Sequence, residues 1–242
     1  MSLLVVTGTG PRVGATVVTA AIAALAHADG RSVVVVKPAQ TGAAADAPGD
    51  LSLVTALSGV TEVREFARFI DPVGPAAAAR VSGRVPLDLA RCAAPIAALG
   101  KDNDVVLVDG TGGVLVRYDE DKTTIASLAA GLTAPLIVVT GPGSGSPNAT
   151  ALTVEAITRR GLDCAGLVLG SWPNEPDLVA RCTLADLSRL GVPLFGVLPD
   201  GAAGLSREDF LARARAGLAP RFGGTFDAAT FTADATEPVS RS

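Results

Sequence analysis

Six apolar runs of strand length recur along the chain: Leu3–Thr7, Ser32–Lys37, Val105–Asp109, Leu136–Thr140, Ala165–Gly170 and Leu194–Leu198. Between them lie alanine-rich stretches with helical spacing, chiefly Ala15–Ala28, Leu51–Leu57, Leu87–Leu99, Thr123–Leu132, Asn148–Arg160 and Leu178–Leu190. No other feature constrains the fold so tightly. Strands alternating with helices are βαβ units, and right-handed crossovers join them into an α/β fold. The expectation is a doubly wound, mostly parallel sheet with helices on both faces. Gly30, Gly161 and Gly191 are placed to stop helices, and Pro135 and Pro193 to lead into strands.

Of the 242 residues, 48% are hydrophobic and only 4% aromatic, so the core must be built from Val, Leu, Ile and Ala. Residues 1–221 read as one domain. Residues 222–242 carry few large apolar side chains and read as a flexible C-terminal tail. The formal charge of −4 supplies no basic face for nucleic acid. No apolar run approaches the length of about 18 residues that a membrane span needs, and no basic segment precedes the first apolar run. A cytoplasmic location is therefore expected. Cys92, Cys164 and Cys182 fit neither a metal nor a disulfide pattern, and the lone His27 excludes a Ser/His/Asp triad.

In such a sheet, ligands bind at the carboxyl ends of the strands. The first of these loops reads Gly8-Thr9-Gly10-Pro11-Arg12-Val13-Gly14-Ala15-Thr16 and opens into a helix through Val17. Its glycines let backbone amides converge on an anion, and the helix start adds positive charge, so it is assigned to phosphate. Thr16 is placed as a Mg²⁺-ligating hydroxyl. The lysine expected of such a loop is absent; Ala15 stands in its place. Arg12 is the basic residue available to compensate.

Lys37, followed by Pro38-Ala39-Gln40-Thr41-Gly42, ends the second apolar run on the same rim. The loop Gly42–Gly49 is small and expected to be flexible, and Asp50 after it is either a helix N-cap or a metal ligand. Asp109 ends the Val105–Asp109 run ahead of Gly110-Thr111-Gly112-Gly113, the arrangement of a Walker-B acid. In Gly141–Asn148, Ser146 reads as an N-cap and Pro147 as the first helical residue. Trp172, in Gly170-Ser171-Trp172-Pro173-Asn174, either walls a purine ring or packs in a corner.

Taken together, the loops TGTGPRVGAT, KPAQTG, FARFIDPVGPAAAAR, LVDGTGGVLV, GSGSPNATALTVEAI and GSWPNEP resemble those of the dethiobiotin synthetase family. The resemblance runs from Met1 to about Gly201. It implies a homodimer of P-loop NTPase-like subunits that takes 7,8-diaminononanoate, CO₂ or bicarbonate, and a nucleoside triphosphate, ATP, with Mg²⁺. By resemblance, Gly10 to Val17 hold the nucleotide together with Asp50, Asp109, Ser171, Trp172 and Pro199. Thr16, Asp50 and Asp109 match the Mg²⁺ ligands, and Lys37 the catalytic lysine. Thr41, Thr111, Gly112, Gly145 and Asn148 match substrate contacts, the loop before Asn148 being supplied by the partner subunit.

Three positions depart from the family pattern, with Ala15 for lysine, Asp109 for glutamate and Ala149 for histidine. Two readings follow: an active enzyme with a reworked phosphate loop, or a catalytically impaired homologue acting as a binding or partner protein. Partition and metal-insertion ATPases fit KPAQTG and GSWPNEP poorly.

Overall fold

The computed structural model describes residues 2–236. Seven strands form one sheet: β1 (Ser2–Gly8), β2 (Val33–Gln40), β3 (Val63–Arg68), β4 (Val105–Gly113), β5 (Leu136–Thr140), β6 (Cys164–Trp172) and β7 (Leu194–Pro199). Their order is β3-β2-β4-β1-β5-β6-β7, and every pair is parallel. Nine helices cover it: α1 (Ala15–Ala28), α2 (Asp50–Ser58), α3 (Pro75–Ser82), α4 (Ala93–Leu99), α5 (Ile125–Leu132), α6 (Ser146–Thr158), α7 (Leu178–Leu187), α8 (Arg207–Gly217) and α9 (Ala228–Thr236), counted among the described residues.

Side-chain alternation along each strand divides the core in two. Val33 and Val35 of β2, with Val105 and Leu107 of β4, pack beneath α1, α2 and α8. Val34, Val36, Val106 and Val108 point the other way, toward the remaining helices. Both faces are covered, so the central strands read as unbroken Val and Leu runs instead of alternating with polar residues. β1 lies between β4 and β5, and α1 and α5, the helices that follow β1 and β4, pack on opposite faces of the sheet. The crevice between those two departures is the switch point where doubly wound sheets bind ligands.

Several boundaries differ from the expectation. β3, α3 and α8 were not anticipated. β2 runs past Lys37 to Gln40, because its Ala39 and Gln40 pair with Ala67 and Arg68 of β3. The helix expected over Leu87–Leu99 is a short 3₁₀ turn at Ala90–Cys92 followed by α4. In place of a tail from Phe222, α9 packs on the core, with the Phe231 ring 5.6 Å from Trp172 and 5.4 Å from Phe226. Aromatic pairing supplies the apolar contact that the local composition concealed. The rest of that expected tail, residues 237–242, lies outside the described residues.

Candidate active site

The period of two that builds the core also builds the site. Lys37 follows Val33 and Val35 on the α1 face of β2, and Asp109 follows Val105 and Leu107 on the α1 face of β4. Their register is Val36 against Val108, so the next pair along the ladder is Lys37 and Asp109. Nζ of Lys37 donates to Oδ2 of Asp109 at 2.9 Å and to the Gly110 carbonyl at 3.1 Å. Its third contact is Oδ2 of Asp50 at 2.6 Å. All three ammonium protons are therefore committed. Lys37 is 2% and Asp109 0% exposed, whereas Asp50 is 37% exposed at the mouth of the site.

Burial by itself would lower the Lys37 pKa, but the carboxylates of Asp109 and Asp50 outweigh it and hold the value above that of an ordinary lysine. The residue is an ammonium at neutral pH, a fixed positive charge. Charges this deep persist only when paired and hydrogen-bonded.

From above, α1 closes the arrangement. Thr16 and Thr19, three residues apart on one helix face, donate to Asp109 Oδ2 at 3.0 Å and Oδ1 at 3.3 Å. Thr19 was not read from the sequence; its spacing from Thr16 was the available signal. The helix starts at Ala15 without a side-chain cap, and its first internal hydrogen bond is from Val18 N–H to the Gly14 carbonyl. The amides of Ala15, Thr16 and Val17 thus open into the crevice, with the positive end of the helix dipole behind them. Arg12 and Gly14 take left-handed backbone angles, φ 59° and 90°, which curl the loop around the opening.

Asp50 is not the N-cap of α2, which is Gly49; it is the first helical residue. Its N–H donates to Gln40 Oε1 at 2.8 Å, while Gln40 Nε2 donates to the Thr41 carbonyl at 2.8 Å. Gln40, itself 5% exposed, therefore fixes the start of α2 so that the Asp50 carboxylate meets Lys37. Behind it, Arg68 of β3 donates to the carbonyls of Ala44 and Ala47 at 2.9 and 2.8 Å. The Gly42–Gly49 loop, expected to be flexible, is thereby tied to the sheet. A forked ion pair to Glu65, 2.7 and 2.8 Å, holds the Arg68 guanidinium in place.

These groups line a cavity of about 480 Å³ formed by residues 10–17, Lys37, Gln40, Thr41, Asp50, Pro72 and residues 110–112. Of the residues expected at the site, the structure brings residues 10–17, Lys37, Thr41, Asp50, Thr111 and Gly112 to this one cavity, with Asp109 beneath it. Ser171, Trp172 and Pro199 sit together at the ends of β6 and β7, outside the lining. Trp172 is 9% exposed against Phe231, so of its two readings the corner-packing one describes its position. Gly145 and Asn148 are exposed and away from the cavity; Gly145, not Ser146, is the N-cap of α6.

Tyr118 is the largest fully buried side chain, and its hydroxyl accepts the Thr111 N–H at 2.8 Å. Burial raises its pKa, so the phenol stays neutral. Thr111 Oγ1 in turn donates to the Ala39 carbonyl at 2.5 Å. Tyr118→Phe keeps the packing but orphans that amide, which costs about 1–3 kcal/mol for a buried donor. Urea denaturation should show that loss. A midpoint unchanged from the parent would mean that the Thr111 turn is held by other contacts.

A dense sheet, a glycine loop with open helix amides, and a buried Lys–Asp pair at the switch point define the class: a P-loop nucleoside-triphosphatase fold. The cell division ATPase MinD of Pyrococcus furiosus aligns over 98% of both chains with a TM-score of 0.57 at 20% identity. Chloroplast FtsY of Physcomitrella patens aligns over 98% of this chain and 65% of its own, with a TM-score of 0.53 at 21% identity. At those identities the likeness is one of fold alone. The family described as an AAA domain matches residues 2–203. Sequence relatives are more specific. The ATP-dependent dethiobiotin synthetase of Frankia casuarinae is 57% identical over 96% of this chain and 98% of its own length. Those of a Parafrankia species and of Streptomyces coelicolor are 53% and 49% identical at the same coverage. The chain belongs to the dethiobiotin synthetase family. The impaired-homologue reading finds no support in these relatives.

Proposed function

We propose that this protein is an ATP-dependent dethiobiotin synthetase acting on 7,8-diaminononanoate and CO₂. The observation that carries the reading is the convergence of Thr16, Lys37, Asp50 and Asp109 around one cavity that the α1 amides also face. One amine of the diamine adds to CO₂ and loses a proton, giving a carbamate. A carbamate oxygen takes the γ-phosphoryl group of ATP, forming a carbamic–phosphoric anhydride and releasing ADP. The second amine attacks the anhydride carbon, and phosphate leaves as the ureido ring closes.

For this sequence the chain supplies position and charge. The amides of residues 15–17 would receive the phosphates, and Lys37 would offset charge on the transferring group while remaining protonated. Thr111, Gly112 and Thr41 face the same cavity and are assigned to the diamine and carbamate. One hydroxyl and two carboxylates form a set of hard oxygen donors suited to Mg²⁺, which favours one or two carboxylates with phosphate oxygens and water. Thr16, Asp50 and Asp109 would hold it, and when bound it supplies positive charge to the phosphate oxygens. Gly145 and Asn148 are exposed at the start of α6 and are assigned, in a homodimer, to the partner's substrate.

Purified protein given 7,8-diaminononanoate, bicarbonate and MgATP is expected to form dethiobiotin, ADP and phosphate in equal amounts, with little ADP when the diamine is omitted. No dethiobiotin at micromolar enzyme, as read by mass spectrometry, would sink the assignment.

A further inference from the structure

The cavity contains a charge imbalance that points to one side chain. Lys37 contributes one positive charge and Asp50 and Asp109 one negative charge each, and all three Lys37 protons are already engaged. Residue 15, the first of the helix and so nearest the open amides, ends in a methyl group. The only other charged group in the lining is Arg12. Its side chain is exposed and makes no ion pair among the described residues. Of the cations around this cavity, it alone is free to meet an incoming anion.

We propose that Arg12 is a specificity-determining phosphate ligand, its guanidinium contacting the terminal phosphate of the triphosphate in place of a lysine at position 15. This rests on the nucleotide-dependent reading given above. The side chain is long enough, its guanidinium lying about 6 Å from Cα when extended. Arg12 is held at the lip of the loop with φ 59°, a left-handed conformation uncommon for a side chain without a local polar reason. Arg12 lines the same cavity as Lys37 and the residues 15–17 that open α1, so its guanidinium shares the space a bound phosphate would enter. A guanidinium presents two parallel N–H donors and suits phosphate oxygens in a forked contact that a point charge does not make. Such a contact is made to the γ-phosphate and is lost with it. It therefore separates ATP from ADP, whereas the loop amides serve both.

Arg12→Gln keeps a polar side chain and the left-handed strain but is shorter and removes the charge; Arg12→Gly relaxes the backbone and guards against a folding defect. Calorimetry with MgATP and MgADP, alongside kcat and KM for dethiobiotin formation, reads the effect. Either variant should bind MgATP about tenfold more weakly with MgADP nearly unchanged, and kcat should fall about 10²-fold, as for loss of one preorganised charge donor. Adding Ala15→Lys to Arg12→Gln should recover at least tenfold of that kcat. Equal losses for both nucleotides, a kcat within threefold of the parent, or no recovery from the added lysine overturns the proposal. Wild-type protein that discriminates ATP from ADP through Arg12 yet makes no dethiobiotin would refute the enzyme assignment and leave Arg12 standing. Full synthesis by Arg12→Gln would do the reverse.

Discussion

Lys37→Met is expected to lower dethiobiotin formation by at least about 10²–10³-fold, the scale of losing one charge-stabilising donor. It should also cost the fold about 3–5 kcal/mol, the usual consequence of removing one partner from a buried pair. The two losses have separate causes, and a second substitution divides them. Asp109 is wholly buried, and without the ammonium its carboxylate keeps only the Thr16 and Thr19 hydroxyls. Lys37→Met with Asp109→Asn removes the uncompensated charge, so the double variant should recover most of the lost stability. Activity should not return, since the double variant lacks both the fixed positive charge and a carboxylate assigned to Mg²⁺. Chemical denaturation of the parent, both single variants and the double variant gives the coupling between the residues. Independent, additive stability losses would show that Lys37 and Asp109 do not act as a unit. Recovered turnover in the double variant would remove Lys37 from the chemistry.

That pair was legible in the sequence because two simple periodicities meet at it. Val33-Val34-Val35-Val36-Lys37 and Val105-Val106-Leu107-Val108-Asp109 each end an apolar run with a charge, five residues along. In register, such runs bring their last residues side by side. The glycine loop and Asp50 were legible for the same reason, as punctuation at the ends of strong periodic segments. What was missed lacks that contrast. β3 reads Val-Arg-Glu-Phe-Ala-Arg, and as an edge strand it has no need of an apolar run; its charges suit an edge. α8, Arg-Glu-Asp-Phe-Leu-Ala-Arg-Ala-Arg-Ala-Gly, buries little beyond Phe210 and Ala214, so its apolar stripe is only one side chain wide. Gln40 and Tyr118 act through contacts to backbone groups far along the chain or across a turn, for which sequence spacing carries no signal. Trp172 has no partner legible in the sequence, because Phe231 lies 59 residues later in a stretch rich in Gly, Thr and Asp.

Gly170→Ala should disable nucleotide binding although residue 170 lies outside the cavity lining. The reason is the close backbone approach between β6 and the phosphate loop. A Cβ on Gly14 would lie 2.6 Å from the Gly170 carbonyl oxygen, and one on Gly170 would overlap the Val13 carbonyl oxygen. Neither neighbour is a flexible side chain that could yield. Gly14 also has φ 90°, a backbone state that side chains rarely adopt, so its substitution is strained twice over. Gly170 has no such conformational demand, and that makes it the cleaner probe: its Cβ would press on the backbone of the loop at Val13 and Gly14, and otherwise on Val139 Cγ1 at 2.7 Å. A displacement on the order of 1 Å at Val13 would carry the amides of residues 15–17 and the Thr16 hydroxyl with it, and misplacement of that size costs about 10²-fold in well-positioned reactions. MgATP affinity and kcat should both fall by roughly that factor, with a stability loss of about 1–3 kcal/mol from overpacking. Calorimetry and a denaturation curve on the same sample measure both. Gly166→Ala, lower on the same strand, supplies the contrast, since its Cβ would meet the Phe195 ring and not the loop. It should cost stability while MgATP binds with parent affinity to whatever fraction is folded. If instead Gly170→Ala binds MgATP as the parent does, the loop is not seated on β6, and the open amides of α1 owe their direction to the helix alone.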